Sequence, residues 1–178
     1  MNPVAGKLSV WTGAQAACVR VSGRANFALS LQFRKLLQAL RAAGHQLLLL
    51  DVSGCPFMDS TFLGVLAYEA NNLAATSTGA VQPGIELLNA QSNVRNIIQD
   101  LGVAHLFRFS ERDLSRTDFK DVPLAGEANV SELNRTCLEA HELLMALHPA
   151  NVEKFRDVAQ FFAGELKDSS GPAKQKSS

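Results

Sequence analysis

The chain has 178 residues, 47% of them hydrophobic, and its 17 acidic side chains balance its 17 basic ones. This predicts one modest globular domain with an appendage, and the balanced charge excludes the electrostatic footprint of a nucleic-acid-binding protein. No apolar run reaches the ~20 residues of a membrane helix, and the N-terminus lacks the order of a signal peptide. We therefore expect a cytoplasmic protein without membrane insertion.

Hydrophobic periodicity predicts the first elements of an α/β domain. Short apolar and alternating runs in residues 8–21 predict an opening strand pair. Between Gly23 and Gly44 the apolar residues recur at three- and four-residue steps, which predicts an amphipathic helix. Residues 46–52 predict the next strand, and the unbroken leucines at 47–50 predict its burial on both faces.

The alternation continues along the chain. A second helix is predicted from Ser60 to a breaker at residues 76–79, and a strand at 84–89 follows. Ser92 is predicted to cap a short helix, and residues 106–109 to form a last edge strand. With right-handed crossovers, this order predicts a mixed β-sheet covered mainly on one face by helices.

The C-terminal third has a different pattern. Residues 113–127 carry charge without a clear period and predict a linker between a domain at 1–112 and a helical hairpin at 128–168, with Ser131 as the first cap. Residues 169–178 are polar and are expected to be a disordered tail. Two such amphipathic helices cannot bury both apolar stripes alone, so we expect the hairpin to pack on the domain or on another chain.

Catalytic, cofactor and metal sites are not predicted. The sequence contains no Ser-His-Asp constellation with a nucleophile elbow, no paired-cysteine or histidine metal motif and no glycine-rich phosphate loop. Cys18, Cys55 and Cys137 are widely spaced and odd in number, which predicts buried, reduced thiols. His141 and His148 are expected at exposed or interfacial positions of the hairpin. We therefore expect a protein without enzymatic activity.

The candidate functional site is the junction of Asp59, Ser60 and Thr61. Ser60 stands where a strand should give way to a helix, and the free N–H groups and dipole of a helix N-terminus favour an anion or a phosphoryl group. Asp59 is a candidate cap of that helix, and Thr61 is a competing hydroxyl in its first turn. A capping serine without modification remains the alternative for Ser60.

Three segments carry a family signature: Asp51 with residues 57–61 and 63–66, residues 91–98 with Leu101 and Gly102, and residues 107–109. Together they resemble the STAS domain, typified by bacterial anti-sigma-factor antagonists, over roughly residues 8 to 110. The family commonly has glycine where this chain has Phe62, and we expect that ring either to pack inward or to alter the docking surface. The C-terminal hairpin is a second departure from the family.

The resemblance implies partner switching in transcription regulation. Ser60 would be the serine phosphorylated by a partner kinase that doubles as an anti-sigma factor, with Thr61 as the second choice, and a phosphatase would restore it. The unphosphorylated form would bind the kinase and the phosphorylated form would release it, through a surface that includes Asp59, Phe62 and Gly64. The alternative is a STAS scaffold without phosphorylation, as a regulatory subunit of a larger complex or of a transporter. A homodimer through the hairpin is a further expectation.

Overall fold

The computed structural model describes residues 4–75, 84–123, 126 and 129–169. The predicted breaker at 76–79 and the tail beyond Ser169 lie outside the described residues. The described residues form eight strands and five α-helices in an α/β order. The strands are β1 (Lys7–Thr12), β2 (Ala16–Ser22), β3 (Arg24–Ala25), β4 (Leu47–Asp51), β5 (Phe57–Met58), β6 (Ile85–Leu88), β7 (Phe107–Ser110) and β8 (Lys120–Asp121). The helices are α1 (Phe27–Ala42), α2 (Ser60–Ala75), α3 (Ser92–Asp100), α4 (Val130–Leu147) and α5 (Ala150–Ser169).

Six strands form one mixed sheet in the order β7-β6-β4-β2-β1-β8. The strands β2, β4, β6 and β7 are parallel, and β1 pairs antiparallel with both β2 and β8. Strands β3 and β5 pair separately beside the start of α2. The predicted mixed sheet and the edge position of β7 are confirmed.

The central strand β4 is buried on both faces, as its run of leucines predicts. Leu48 and Leu50 face the main core, which the helices cover. Leu49 faces the opposite side, where it packs with Cys18 and Leu88. Because side chains alternate along a strand, an unbroken apolar run requires cover on both faces.

Part of the segment predicted as a linker belongs to the domain. Leu114 and Phe119 pack on the second face of the sheet, and the Arg20 guanidinium lies 3.8 Å from the centre of the Phe119 ring. Strand β8 then pairs with β1, so that Asp121 lies opposite Ser9. Two paired residues are too few to produce a recognisable hydrophobic period, which is why the sequence does not predict this edge strand.

The helices α4 and α5 form the predicted hairpin and pack against each other. Helix α4 also packs on α1 and α2, and the amide of the buried Asn151 at the start of α5 donates to the carbonyl oxygens of Leu101 and Leu144. The C-terminal hairpin is therefore docked on the helical face of the domain. None of the described helices is long and apolar enough to cross a membrane.

Two predicted helix caps are wrong. The side chain of Asn129, not Ser131, accepts hydrogen bonds at the start of α4, from the backbone N–H groups of Ser131 and Glu132. Helix α3 begins at Ser92 itself, with Gln91 in the cap position and no side-chain cap bond. Both differences are shifts of one or two residues, within the usual uncertainty of helix ends.

Candidate functional site

Asp59 fixes the geometry of the predicted junction by capping two helices at once. Its Oδ1 accepts a hydrogen bond from the backbone N–H of Phe62 at 2.8 Å, in the first turn of α2. Its Oδ2 accepts from the backbone N–H of Phe27 at 2.8 Å, at the start of α1. One carboxylate thus satisfies free N–H groups of both helices, which brings the N-termini of α1 and α2 to the same point.

Ser60 is the first residue of α2 and is partly exposed. Its Oγ lies 3.1 Å from Nε2 of His141, on α4 of the C-terminal hairpin. The other ring nitrogen, Nδ1, lies 2.8 Å from the carbonyl oxygen of Cys137. A carbonyl oxygen only accepts, so Nδ1 carries the proton in the neutral ring and the Ser60 hydroxyl donates to Nε2.

His141 occupies a dry, aromatic environment. Its side chain is 3% exposed, and its ring centre lies 5.0 Å from that of Phe155 and 6.5 Å from that of Phe162, both on α5. Burial lowers the pKa of His141, against the opposing effects of the Cys137 carbonyl and the charge of Asp59. The imidazole is therefore neutral at pH 7 and suited to accept the hydrogen bond from Ser60.

Thr61 and Phe62 point away from solvent. Thr61 is 7% exposed, and its side chain hydrogen-bonds the thiol of Cys137, whose pKa burial raises to about 11. Phe62 is 0% exposed and stacks on Phe33 of α1, with ring centres 4.4 Å apart. Of the two alternatives given for Phe62, the structure contains the inward-packed ring.

Gly64 lies one turn further along α2, directly beneath α4. A Cβ added to Gly64 would lie 2.7 Å from the Cβ of Ala140 and 2.8 Å from its carbonyl oxygen. Real Cβ atoms do not approach backbone atoms so closely, so glycine at this position permits the close packing of the two helices. The predicted site residues are thus brought together, and α4 lies across them.

The sequence did not identify the hairpin residues of this site. Cys137 was expected to be buried and His141 to be exposed or interfacial, but no pattern indicated which surface their helix would cover. The available signal was a histidine inside an apolar stripe, which calls for a hydrogen-bond partner when buried. Ser60 is that partner.

A second polar cluster supports the loop that leads to the site. Asp51, fully buried at the end of β4, accepts from Arg20 Nε at 2.7 Å, from the backbone N–H of Ser53 and from the amide of Asn89. Burial alone would raise the pKa of Asp51, but the hydrogen bonds from Arg20, Ser53 and Asn89 outweigh it and lower the pKa below its ordinary value. This cluster is satisfied internally, which indicates a structural role.

An open groove of about 490 Å³ lies between α1 and α4. Four of its charged side chains form ion pairs, Arg34 with Glu139 at 2.6 Å and Lys35 with Glu132 at 2.9 Å. Ser60 does not line this groove. Within the described residues, no group of three histidine, cysteine or carboxylate side chains is placed to hold a metal ion.

Comparison with known proteins identifies the family to which this fold corresponds. The sequence model of the STAS domain family matches residues 12–114, so the hairpin lies beyond the matched range. The structure resembles that of an anti-sigma factor antagonist from Mycobacterium paratuberculosis, with 19% identity, a TM-score of 0.50, and coverage of 63% of this chain and 90% of that chain. No curated protein matches this chain.

Two further solved structures match the chain with lower TM-scores. The anti-sigma factor antagonist SpoIIAA in its unphosphorylated form is 19% identical, with a TM-score of 0.49, and covers 58% of this chain and 87% of its own. The Bacillus cell fate determinant SpoIIAA in its phosphorylated form is 19% identical, with a TM-score of 0.46. The match covers 60% of this chain and 91% of that chain.

Proposed function

The chain belongs to the STAS domain family, and on this premise we propose that it is a phosphorylation-controlled protein-binding module like the anti-sigma-factor antagonists. In this proposal Ser60 is the phosphoacceptor. The unphosphorylated form binds an anti-sigma kinase, phosphorylation releases it, and a phosphatase resets the cycle. In this proposal the chain needs no catalytic group, and it acts with its partners in the bacterial cytoplasm.

The observation that carries the proposal is the position of the Ser60 hydroxyl. It directly follows the capping carboxylate of Asp59, at the first residue of α2, and it is partly exposed, whereas Thr61 is buried. The free N–H groups and the dipole of a 16-residue helix favour negative charge at its start. These features support Ser60 over Thr61 as the acceptor.

The charge of a phosphoryl group is sufficient to operate the switch. Phosphorylation of Ser60 adds about −1.5 to −2 charges at neutral pH beside the carboxylate of Asp59. A partner that presses on this spot must desolvate the new dianion, and a loss of about 3 kcal/mol there weakens binding more than a hundredfold. The domain keeps its fold because the N-terminus of α2 compensates the charge locally.

The experiment uses the protein that co-purifies with the wild-type chain from its own cells. We expect Ser60→Asp to weaken that complex at least tenfold, roughly the cost of one unfavourable charge at the interface. Ser60→Asn is the matched control, since it has nearly the shape of Asp without the charge, and it should bind within a few-fold of wild type. Equal affinities for the Asp and Asn variants would contradict a charge-controlled switch.

A constitutive scaffold is the second candidate, and one contact favours it. The Ser60 hydroxyl is already engaged by His141, so Ser60 has a structural partner without any modification. In that case the hairpin supplies the main interface to a larger complex or to a transporter. Loss of the co-purifying protein on disruption of the hairpin, with no effect of charge at Ser60, would favour the scaffold.

A further inference from the structure

One face of α4 covers the first turns of α2. Three of the residue pairs in this contact are spaced so that one stripe of α4 lies along one stripe of α2. The pairs are Ser60 with His141, Thr61 with Cys137, and Gly64 with Ala140. The surface that the proposed function assigns to a partner is therefore occupied by the chain's own C-terminal hairpin.

The docked hairpin fills the space on the His141 side of the Ser60 hydroxyl. The distance of 3.1 Å between Oγ and Nε2 of His141 is that of a direct hydrogen bond, and a phosphorus atom with three further oxygens needs the space that the ring now fills. The His141 ring is not free to rotate, because its Nδ1 donates a hydrogen bond to the Cys137 carbonyl oxygen and Phe155 packs against the ring. A kinase meets the same obstacle when it approaches Oγ.

The charge of a phosphoryl group on Ser60, like its size, favours undocking of the hairpin. A phosphoryl group between Ser60 and α4 would lie against the ring of His141, which is 3% exposed, and near the carboxylate of Asp59. Removal of such a dianion from water is costly unless it is fully paired. Undocking of the hairpin would return the phosphoryl group to solvent while the N-terminus of α2 still stabilises it.

We propose that the α4–α5 hairpin is an internal occupant of the α2 face, and that negative charge on Ser60 shifts it from a docked to an undocked position. The hairpin thereby competes with the protein partner for the unmodified surface and restricts access of a kinase to Oγ. This inference rests on the proposed function only in taking Ser60 as the residue that acquires the charge.

The contacts that hold the hairpin on the domain allow an equilibrium between the docked and undocked positions. The ion pairs from Arg34 to Glu139 and from Lys35 to Glu132 are partly exposed, and pairs of this kind contribute little. The larger contribution is apolar burial between α2 and α4, including the fully buried Leu144. Undocking exposes that apolar surface, so the docked position dominates in the unmodified chain until charge or a partner shifts the balance.

Cys137 reports hairpin undocking without any kinase or partner. Its thiol is 0% exposed on the inner face of α4, whereas Cys18 lies in the sheet and Cys55 in the loop before β5, both buried within the domain. Undocking of α4 exposes Cys137 alone. The experiment is alkylation of the full-length chain at one fixed pH with iodoacetamide, followed by peptide mass spectrometry to give a rate for each cysteine.

We expect Ser60→Asp to raise the alkylation rate of Cys137 on the order of a hundredfold over wild type, because a carboxylate placed against the buried ring of His141 strongly favours the undocked position. Ser60→Asn should change it by no more than about tenfold, the effect of one altered hydrogen bond. Ser92→Asp introduces the same charge at the exposed first residue of α3 and should leave the rate unchanged. Cys18 and Cys55 should stay protected throughout.

A second variant defines the undocked state from the hairpin side. Ala140→Arg cannot be accommodated against Gly64, so it should expose Cys137 while Ser60 stays intact. If Cys137 is alkylated as slowly in Ser60→Asp as in wild type, the inference is overturned. Equal labelling of all three cysteines also overturns it, because that result indicates global unfolding. Neither result bears on whether Ser60 is phosphorylated in cells, so the two proposals fail separately.

Discussion

Asp59 and Phe62 determine the local geometry of the site, and they do so in different ways. Asp59 fixes the starts of α1 and α2 through two hydrogen bonds from one carboxylate. Phe62 fills the core between the same two helices by stacking on Phe33. The backbone on either side of Ser60 is thus fixed, by the cap at Asp59 and by the packed ring of Phe62.

Removal of the shared cap should destabilise the fold. Asp59→Ala leaves the backbone N–H groups of Phe27 and Phe62 without their partner, and we expect a loss of about 2 kcal/mol in the free energy of unfolding, near 1 for each cap. Urea denaturation followed by circular dichroism measures this. Asp113→Ala is the control, because that carboxylate accepts from Ser115 in an exposed turn and its removal should have little effect. Equal effects of the two variants would contradict the capping role.

The aromatic ring at position 62 should behave as a core residue. Phe62→Ala removes a fully buried ring, and we expect it to cost about 3 to 5 kcal/mol of unfolding free energy. Phe161→Ala removes a ring of α5 that is 60% exposed and should cost less than about 1 kcal/mol. A small loss for Phe62→Ala in thermal or urea unfolding would mean that the ring lies outside the core.

At the scale of elements, the contact between α2 and α4 depends on small side chains. Gly64 lies against Ala140, and the two helices approach more closely than any larger pair would allow. Glycine weakens an isolated helix by about 1 kcal/mol relative to alanine, so its presence within α2 is explained by packing and not by helix stability. His141 of α4 adds a polar contact to this helix pair through its hydrogen bond with Ser60 of α2.

Gly64→Ala should therefore destabilise the protein although it favours the helix. The added Cβ meets the backbone of Ala140, and we expect a net loss of about 1 to 2 kcal/mol of unfolding free energy. Gly164→Ala is the matched control on α5, where a Cβ meets nothing within 4 Å, and it should stabilise by up to about 1 kcal/mol. Stabilisation by both substitutions in calorimetry would refute the close contact.

The buried imidazole should make stability depend on pH. Burial lowers the pKa of His141 below its ordinary value of 6.5 in the folded chain, so the unfolded chain binds the proton first as pH falls. Stability should then decrease as pH falls below about 6.5, by at most about 1.4 kcal/mol per pH unit, until the folded state also protonates. Above that pH the contribution of His141 is constant.

Urea unfolding at about pH 7.5 and pH 5.5 tests this expectation, with the pH range chosen around the ordinary value for histidine. His141→Gln should lose less stability than wild type between the two pH values. The matched control His105→Gln, at an exposed position, should lose as much as wild type. If His141→Gln shows the full decrease, the pH dependence has another origin.

At the scale of the whole molecule, periodicity was enough to predict the sheet and the main helices. The leucines at 47–50 predicted burial on both faces of β4, and the structure divides them between two clusters. The short strand β8 was not predictable, because two residues carry no period. The docking of α4 on α2 was not predictable either, because an apolar stripe indicates burial without indicating its partner.

Only the part of the candidate site that is local in sequence was predicted. Asp59 and Ser60 are adjacent in sequence, and local rules for helix starts were sufficient to identify them. His141 lies 81 residues away, and only the fold brings it to Ser60. The molecule is thus a STAS domain whose proposed switch residue lies under a hairpin outside the family's matched range.

Ser60 is the residue that we propose becomes charged. Phosphopeptide mass spectrometry of the protein isolated from its own cells, under growth and stress, measures this directly. We expect a phosphoryl group on the peptide that contains Ser60, assigned to Ser60 and not to Thr61, and its loss in Ser60→Ala. A peptide that stays unmodified under every condition, or a phosphoryl group that persists on Thr61 in Ser60→Ala, would mean that Ser60 is not the phosphoacceptor.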